Sequence, residues 1–274
     1  MNILSIDSST GRLSVAVSRD EKLLSETADC SSTNHMVNIM GLIGQALQKA
    51  KLTLKDIDIF GVNLGPGDFT GTRIGVSVVK ILSWLEKKPA FGINSLDVFA
   101  LEICLRKSSF ITRCLSKNIP VMAMPCLDVR KEEVYFTFYN LILKPGSGNE
   151  FMAGIKAGGG HFFINRAGKN FLTHNNDLKD LLSRLTKNGI LKMPDGGGEY
   201  RDPKILIGGN CYPGYSRILS DIARQNRIFK VDRKTILPRA RHLNTCAYFN
   251  TKKKVKTVNL VPVYVRKFVP FGNG

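Results

Sequence analysis

The order of strand-like and helix-like segments in the first hundred residues strongly limits the folds available to this chain. Short apolar runs typical of strands cover residues 2–7, 13–18, 22–28, 57–64 and 89–93. Segments with helical periodicity cover residues 31–51, 72–87 and 95–106. The resulting order, β-β-β-α-β-α-β-α, predicts a mixed sheet with helices packed on its faces.

The rest of the chain predicts a second α/β unit. We expect a first lobe over residues 1–110 and a second lobe over residues 111–274, with a final segment that could return to the first lobe. The predicted strands lie at residues 119–125, 133–140 and 205–210, and the predicted helices at 177–187, 213–226 and 238–249. We expect irregular edge structure over 145–175, a mobile loop over 188–203 and an extended segment over 258–269.

The net charge of +18 lies entirely in the second part of the chain. Residues 1–100 hold ten basic and ten acidic residues, whereas residues 101–274 hold thirty basic and twelve acidic ones. A basic half can attract a polyanion through counterion release. Scattered charges are equally typical of a solvated surface, and only Lys252, Lys253, Lys254 and Lys256 form a dense cluster.

The sequence carries no signal for a membrane or an oxidising compartment. No apolar run reaches the ~20 residues that cross a bilayer, and the opening Met1–Asp7 lacks a basic stretch of the signal-peptide kind. The six cysteines form no paired spacing of the disulfide or zinc type. We therefore expect a cytoplasmic protein.

The first two long helices are apolar on more than one face. A stripe at helical spacing, predicted to face the core, comprises Met36, Met40, Ile43, Leu47 and Ala50 in the first helix and Ile74, Val78, Ile81 and Leu85 in the second. The apolar surface is widened by Val37, Ile39, Leu42 and Ala46, and by Val79, Leu82 and Trp84. A helix that covers only its own sheet needs one apolar face. The excess predicts a partner surface, although burial between the sheet and a neighbouring helix would also explain it.

A glycine-rich turn, Gly65–Gly75, joins a strand to the second helix. Its backbone N–H groups at a helix start could bind a phosphate, or the glycines could simply permit a tight turn. Asp7, at the end of the first strand, could hold a metal-bound nucleotide or cap its own turn. The turn matches neither dinucleotide-binding nor Walker A spacing.

The sequence offers no convincing catalytic set. The four histidines are far apart, and Ile39 stands four residues after His35, where a second metal ligand would be needed. There is no G-x-S-x-G elbow, and no cysteine has a nucleophile context. We expect no metal site, no cofactor and no catalytic residue.

Several segments together resemble the bacterial TsaB (YeaZ) family. The turn Gly65–Gly75, GPGDFTGTRIG, is similar to that family's GPGSFTGxRIG signature, with Asp68 in place of the usual serine. Further similar segments are Asp7–Ser9, Asn94–Asp97, Leu127–Tyr135 and Pro262–Arg266.

The resemblance implies an α/β fold of the ASKHA (actin/sugar kinase/Hsp70-like) type, with two lobes and mixed sheets flanked by helices. It implies a non-catalytic dimerisation subunit, an inactive paralogue that supports a catalytic TsaD-like subunit in forming N6-threonylcarbamoyladenosine beside the tRNA anticodon. A TsaE-like ATPase would join the assembly, tRNA would be reached indirectly through it, and the subunit alone would form a homodimer.

The predicted site residues follow from these two lines of argument. The predicted partner interface comprises Met36, Ile39, Met40, Ile43, Leu47, Arg73, Gly75, Val78, Val79 and Leu82. The predicted vestigial nucleotide or phosphate site comprises Asp7, Ser8, Gly65, Gly67, Thr70 and Gly71. Two alternatives remain open: an active ATP-dependent transferase or kinase of the same fold, and a direct tRNA-binding module.

Overall fold

The computed structural model describes residues 1–30, 35–129, 132–143, 153–157, 160–167, 170–187, 203–252 and 260–265. The strands are β1 (Asn2–Asp7), β2 (Leu13–Arg19), β3 (Lys22–Asp29), β4 (Ile59–Gly65), β5 (Ala90–Asn94), β6 (Val121–Asp128), β7 (Glu133–Phe136), β8 (Tyr139–Ile142), β9 (Ala153–Ala157), β10 (Gly160–Arg166), β11 (Phe171–His174), β12 (Lys204–Gly209) and β13 (Phe229–Thr235). The helices are α1 (His35–Ala50), α2 (Phe69–Glu86), α3 (Ser95–Arg106), α4 (Ser108–Leu115), α5 (Asn175–Lys187), α6 (Tyr212–Gln225) and α7 (Ala240–Lys252).

The first sheet has the strand order β3-β2-β1-β4-β5. β1 and β3 run antiparallel to β2, whereas β4 runs parallel to both β1 and β5. α1 packs on β2 and β3, α2 packs on β4 and β1, and the two helices contact each other. One apolar core lies between these helices and the sheet, with Leu4, Val15 and Val62 at its centre.

The second sheet has eight strands built around β6. β7 and β8 run antiparallel to opposite ends of β6, while β12 runs parallel to both β6 and β13. α5 and α6 contribute Leu178, Leu182, Leu219 and Ile222 to a separate apolar core. The predicted α/β class, with mixed sheets flanked by helices, is confirmed.

The observed elements extend the prediction in two regions. α4 and β13 were not predicted, because α4 is only eight residues long and β13 is interrupted by charged residues. The prediction of irregular structure over 145–175 is wrong for the described part, where β9, β10 and β11 form by antiparallel pairing. Residues 188–202 of the predicted mobile loop lie outside the described residues, and so do 258–259 and 266–269 of the predicted extended segment.

The chain divides into two compact units. Unit 1 comprises residues 1–95, 238–248 and 254–274, and unit 2 comprises residues 96–237 and 249–253. The division after Ser95 differs from the predicted boundary at residue 110 because α3 bonds to unit 2. Its Asp97 accepts a 2.5 Å hydrogen bond from Tyr139, and its Arg106 pairs with Asp232 at 3.1 Å. No helix in the described ranges is long and apolar enough to cross a membrane.

His242 in α7 is almost fully buried in unit 1. Burial lowers its pKa from 6.5 to about 4, and the positive charge of Arg241 adds to this effect while Glu26 opposes it. The unfolded chain therefore binds a proton on this side chain at a higher pH than the folded chain does. Stability from a neutral His242 is present above pH 6.5 and is lost as the pH falls toward 4.

We expect this loss to amount to roughly 3 kcal/mol between pH 7 and pH 4. The free energy of unfolding of the wild type and of His242→Gln should be measured by urea denaturation across this range. The stability difference between the two proteins should shift by that amount in favour of the variant as the pH falls. His174→Gln, at a half-exposed position, controls for the removal of a histidine. Parallel pH profiles for the wild type and His242→Gln would contradict the prediction.

Candidate functional site: the glycine-rich turn and the first two helices

The glycine-rich turn begins at Gly65, whose backbone lies in the left-handed region with φ of 93°. A Cβ atom at this position would lie 2.8 Å from the carbonyl oxygen of Val263. The backbone N–H of Val263 donates a 2.7 Å hydrogen bond to the carbonyl of Leu64. Residues 260–265 therefore return to unit 1 and lie directly against the turn, and glycine is required by both the φ angle and the close contact.

The N-terminus of α2 is occupied by a side chain of its own turn. Asp68 is the N-cap residue, and its Oδ1 accepts a 2.7 Å hydrogen bond from the backbone N–H of Gly71. The hydroxyl of Ser8 donates a 2.7 Å hydrogen bond to the Gly71 carbonyl, and a Cβ at Gly71 would lie 2.1 Å from the Ser8 carbonyl oxygen. This close packing holds α2 against the end of β1, and a phosphate here would compete with the Asp68 carboxylate.

Asp7 is fully buried and fixed by hydrogen bonds within unit 1. Its Oδ1 accepts from the backbone N–H of Ser9 at 3.0 Å and from the Ser9 hydroxyl at 2.7 Å. Its Oδ2 accepts from the Asn63 side-chain amide at 2.9 Å. Burial raises the pKa of Asp7, and these hydrogen bonds together with the charge of Arg12 oppose the increase. Asn63 in turn accepts from the Ser95 hydroxyl and the Gly65 N–H, each at 2.9 Å.

These contacts bring Asp7, Ser8, Gly65 and Gly71 of the predicted phosphate site together. Gly67 also packs against this group, because a Cβ on it would lie 2.1 Å from the Ser9 carbonyl oxygen, whereas Thr70 is exposed. The contacts of the group hold the turn and the start of α2 against the end of β1. Phosphate binding at this place stays a prediction. Sequence reasoning missed Asn63. The signal was a single polar amide near the carboxyl end of an otherwise apolar strand.

The outer side of α1 and α2 carries large apolar side chains in solvent. The exposed fractions are 74% for Val37, 54% for Met40, 62% for Ile81, 80% for Trp84 and 59% for Leu85. We call these five residues the α1–α2 apolar face. Scattered apolar residues are normal on a protein surface, but three large exposed side chains on one side of α2, those of Ile81, Trp84 and Leu85, are typical of an interaction site.

The structure corrects the helical phase that was predicted for both helices. In α2 the buried residues are Gly71, Thr72, Gly75, Val76, Val79 and Leu82. The predicted core stripe of α2 instead points outward, with Ile81 and Leu85 exposed and Ile74 and Val78 half-buried. In α1, Met40 of the predicted core stripe is exposed, whereas Ile43 and Leu47 are buried as predicted.

Six of the ten predicted interface residues are therefore buried inside unit 1. The members that contribute to the core between the helices and the sheet are Ile39, Ile43, Leu47, Val79 and Leu82. Gly75 is also buried, and a Cβ on it would lie 2.3 Å from the Ser8 hydroxyl oxygen. Met40 and Arg73 are exposed, Val78 is half-buried, and the side chain of Met36 lies outside the described part of the chain. A partner interface on the outer side of α1 and α2 stays a prediction. It now depends on the residues of the α1–α2 apolar face.

Two glycines in the middle of α1 lie beside this face. Gly41 and Gly44 are exposed, and a Cβ atom on either would have no neighbour within 4 Å. Glycine inside an exposed helix is destabilising by about 1 kcal/mol relative to alanine. Nothing within unit 1 requires glycine at these two positions.

Arg73 projects from α2 into an aromatic contact with the returning segment. Its guanidinium carbon lies 3.8 Å from the centroid of the Phe69 ring, and its Nε donates a 3.0 Å hydrogen bond to the Tyr264 hydroxyl. The centroids of the Phe69 and Tyr264 rings are 5.2 Å apart. The charged side chain is thereby held rigid beside the start of α2.

Comparison with solved structures agrees with this architecture. The crystal structure of an uncharacterized Pseudomonas aeruginosa protein with similarity to peptidase YEAZ superposes with a TM-score of 0.63 at 19% identity, covering 97% of this chain and 99% of that one. The structure of YeaZ from Pseudomonas aeruginosa gives a TM-score of 0.62 at 18% identity. These likenesses show that the fold is shared.

Sequence comparison finds two groups of similar proteins. Residues 28–148 match the TsaD family, tRNA N6-adenosine threonylcarbamoyltransferase. The chain is 39% identical over 98 residues to the tRNA threonylcarbamoyladenosine biosynthesis protein TsaB of Buchnera aphidicola subsp. Schizaphis graminum, a match that covers 36% of this chain and 46% of that protein. The Bacillus subtilis (strain 168) protein of the same description is 28% identical, with coverages of 51% and 55%. Over these segments the chain is similar to TsaB proteins.

The matches to TsaB proteins span only about half of those relatives' length. Enzymes of the TsaD type also match: the tRNA N6-adenosine threonylcarbamoyltransferase of Persephonella marina is 34% identical over 110 residues, which is 39% of this chain and 30% of that enzyme. The region shared with the TsaD family contains both α1 and α2.

The geometry of this chain also bears on metal binding. Ile39, which stands where a second histidine ligand would follow His35, is buried in the core of unit 1. Among the residues that the structure describes, no three side chains of His, Cys, Asp or Glu lie together in a way that could hold a metal ion.

Proposed function

We propose that this chain is a non-catalytic subunit of the assembly that forms threonylcarbamoyladenosine in tRNA, and that it docks on a TsaD-like catalytic subunit through the α1–α2 apolar face. The observation that carries the proposal is the exposure of Ile81, Trp84 and Leu85 on one side of α2. Fully burying one such side chain contributes roughly 1.5–3 kcal/mol. A partner that covers this face would therefore gain a substantial part of its binding energy there.

The partner class follows from the shared region. TsaD-family sequences are related to residues 28–148 of this chain, so a TsaD-like protein carries its own counterparts of α1 and α2. Two related helix pairs can pack face to face around a pseudo-two-fold axis, in the manner of an isologous dimer. Gly41 and Gly44 support this arrangement, because they let a second helix approach the α1 backbone closely.

The proposal has two further parts, and the α1–α2 apolar face supports the first of them. Without a TsaD-like partner, the α1–α2 apolar face is covered by a second copy of the chain, which gives a homodimer. A TsaE-like ATPase then joins the assembly formed with the TsaD-like subunit, and the tRNA substrate is brought to the catalytic subunit.

The Asp7 carboxylate and the N-terminus of α2 favour a supporting role over catalysis, because both already have hydrogen-bonding partners in this chain. The Asp7 carboxylate is buried and already accepts hydrogen bonds from Ser9 and Asn63. The N-terminus of α2 is capped by Asp68, a carboxylate that repels a nucleotide phosphate. Neither group is free to take part in ATP chemistry.

The test is to mix the purified chain with a TsaD-like protein and to measure sedimentation velocity, with calorimetric titration of each sample by Mg-ATP. We expect a complex of the two chains and no ATP turnover by this chain alone. If the two proteins sediment independently while the isolated chain binds and turns over ATP, the proposal is wrong and the chain is an enzyme of the same fold.

A further inference from the structure

A group of basic side chains gathers on one side of unit 2. Its members come from α4 and the turn after it, from the start of β12, and from the start of β13 with the residue that precedes it: Arg113, Lys117, Lys204, Arg227 and Lys230. We call this group the α4–β13 basic cluster. Four of its members are exposed, and Lys204 is half-buried.

The contacts show that these residues are neighbours. The Nζ of Lys230 lies 4.0 Å from the centroid of the Phe110 ring in α4, and the Nζ of Lys204 lies 3.5 Å from the carbonyl oxygen of Arg227. Phe110 and Arg113 are three residues apart and so share one side of α4. Lys204 begins β12, which pairs directly with β13.

Four of the five members of the cluster act electrostatically on one buried side chain, the thiol of Cys114. Burial raises the pKa of Cys114, and the positive charges of Lys204, Lys230, Arg113 and Lys117 act together against that increase. Together with the contacts of Lys230 with Phe110 and of Lys204 with Arg227, this places the charges of α4, β12 and β13 near one another. The cluster is therefore a single positive patch built from three separate elements.

The nearby acidic side chain is already paired. Asp232 is buried, and it lies 3.1 Å from the Nε of Arg106 and 3.9 Å from the Nζ of Lys107. None of the cluster's five cations forms a salt bridge with a carboxylate in the part of the chain that the structure describes. The positive charge of the patch thus remains available to an outside anion.

We propose that the α4–β13 basic cluster binds the phosphate backbone of a structured RNA. Several uncompensated cations spread over one helix and two strand ends suit a ligand with regularly repeated charges, and phosphate contacts of this kind supply most of the affinity for nucleic acids. An anionic membrane would require exposed apolar side chains beside the cations, whereas Phe110 is half-buried beneath Lys230. The choice of tRNA as the RNA rests on the proposed function.

The test measures binding of an unmodified tRNA transcript to the isolated chain by fluorescence anisotropy at several salt concentrations. The test variant changes Arg113, Lys117, Lys204 and Lys230 to Gln. The matched control variant changes four exposed lysines of unit 1 to Gln and so removes the same charge: Lys22, Lys49, Lys51 and Lys55. Circular dichroism melting checks that both variants are folded.

We expect the affinity of the wild type to fall steeply with salt. The test variant should bind at least about tenfold more weakly near 0.1 M salt, and its slope of log affinity against log salt should be shallower by about 3. The control variant should stay close to the wild type. Both variants should still bind the TsaD-like partner, so that failure here is separate from failure of the proposed function.

Several outcomes would overturn the proposal. One is equal weakening of tRNA binding in the test and control variants, which would indicate a response to net charge alone. Another is loss of binding only when Lys252, Lys253, Lys254 and Lys256 are changed to Gln. A third is cluster-dependent binding to polyglutamate or to anionic phosphatidylserine vesicles with no binding to tRNA.

Discussion

Trp84→Glu is expected to abolish binding to a TsaD-like partner while leaving the fold intact, whereas Val79→Glu, five residues earlier in the same helix, is expected to unfold the protein. Trp84 is 80% exposed and contacts solvent, so a carboxylate there is hydrated in the free chain. Val79 is 0% exposed and lies in the core of unit 1, where an unpaired carboxylate cannot be hydrated. The two substitutions introduce the same charge on opposite sides of α2.

The expected magnitudes differ accordingly. Trp84→Glu should change the free energy of unfolding by no more than about 0.5 kcal/mol, and Val79→Glu should lower it by about 4 kcal/mol or more. Loss of a buried tryptophan at the centre of an interface weakens binding by about 2 kcal/mol or more, and the buried charge adds to that loss. Urea denaturation measures the first quantity, and sedimentation with the partner measures the second.

The control for Trp84→Glu is Leu105→Glu, at a partly exposed position of α3 in unit 2. This control should preserve partner binding. A folded Val79→Glu protein, or a Trp84→Glu protein that binds the partner as tightly as the wild type, would show that the assignment of the two sides of α2 is wrong.

The double substitution Gly41→Ala with Gly44→Ala is expected to stabilise the free chain and to weaken the complex. Each glycine lies inside α1 with open space around its Cα, so an alanine methyl group meets no atom of the residues that the structure describes. The gain in helix propensity is about 1 kcal/mol per site, or about 2 kcal/mol in total. The same methyl groups would hold a partner helix away from the α1 backbone, and binding should weaken by about tenfold or more.

The opposite signs make this experiment informative. Thermal or urea unfolding measures the stability of the free chain, and titration calorimetry with the TsaD-like protein measures the affinity. Gly71→Ala provides the contrast, because its Cβ would lie 2.1 Å from the Ser8 carbonyl oxygen and should destabilise the free chain. A double variant that is more stable and binds the partner with unchanged affinity would mean that no helix approaches α1 at these glycines.

The sequence was sufficient to predict the order of elements in the first sheet. Short apolar runs and helical periodicity predict the elements from β1 to α3, and the observed order agrees with them. The pattern failed for the orientation of α2, because its buried side consists of Gly71, Thr72 and Gly75 together with only a few apolar residues. The outer stripe with Ile81 and Leu85 is the more hydrophobic one, so periodicity assigned it to the core.

The site around the turn was only partly predictable. The glycines of the Gly65–Gly75 segment indicated close backbone packing, but the atoms that they approach come from distant parts of the chain, such as Ser8 and Val263. Contacts of this kind depend on tertiary structure, which no local pattern contains. For the same reason the link from Asn63 to Asp7 was not foreseen.

The most direct test of the docking proposal uses Trp84, which is the single tryptophan of the sequence. The chain labelled with 5-fluorotryptophan gives one fluorine resonance, and its shift and its solvent exposure can be followed as an unlabelled TsaD-like protein is added. We expect the resonance to move and to lose its contact with solvent in proportion to complex formation. A complex that forms while the Trp84 resonance stays unchanged and solvent-exposed would contradict docking through the α1–α2 apolar face.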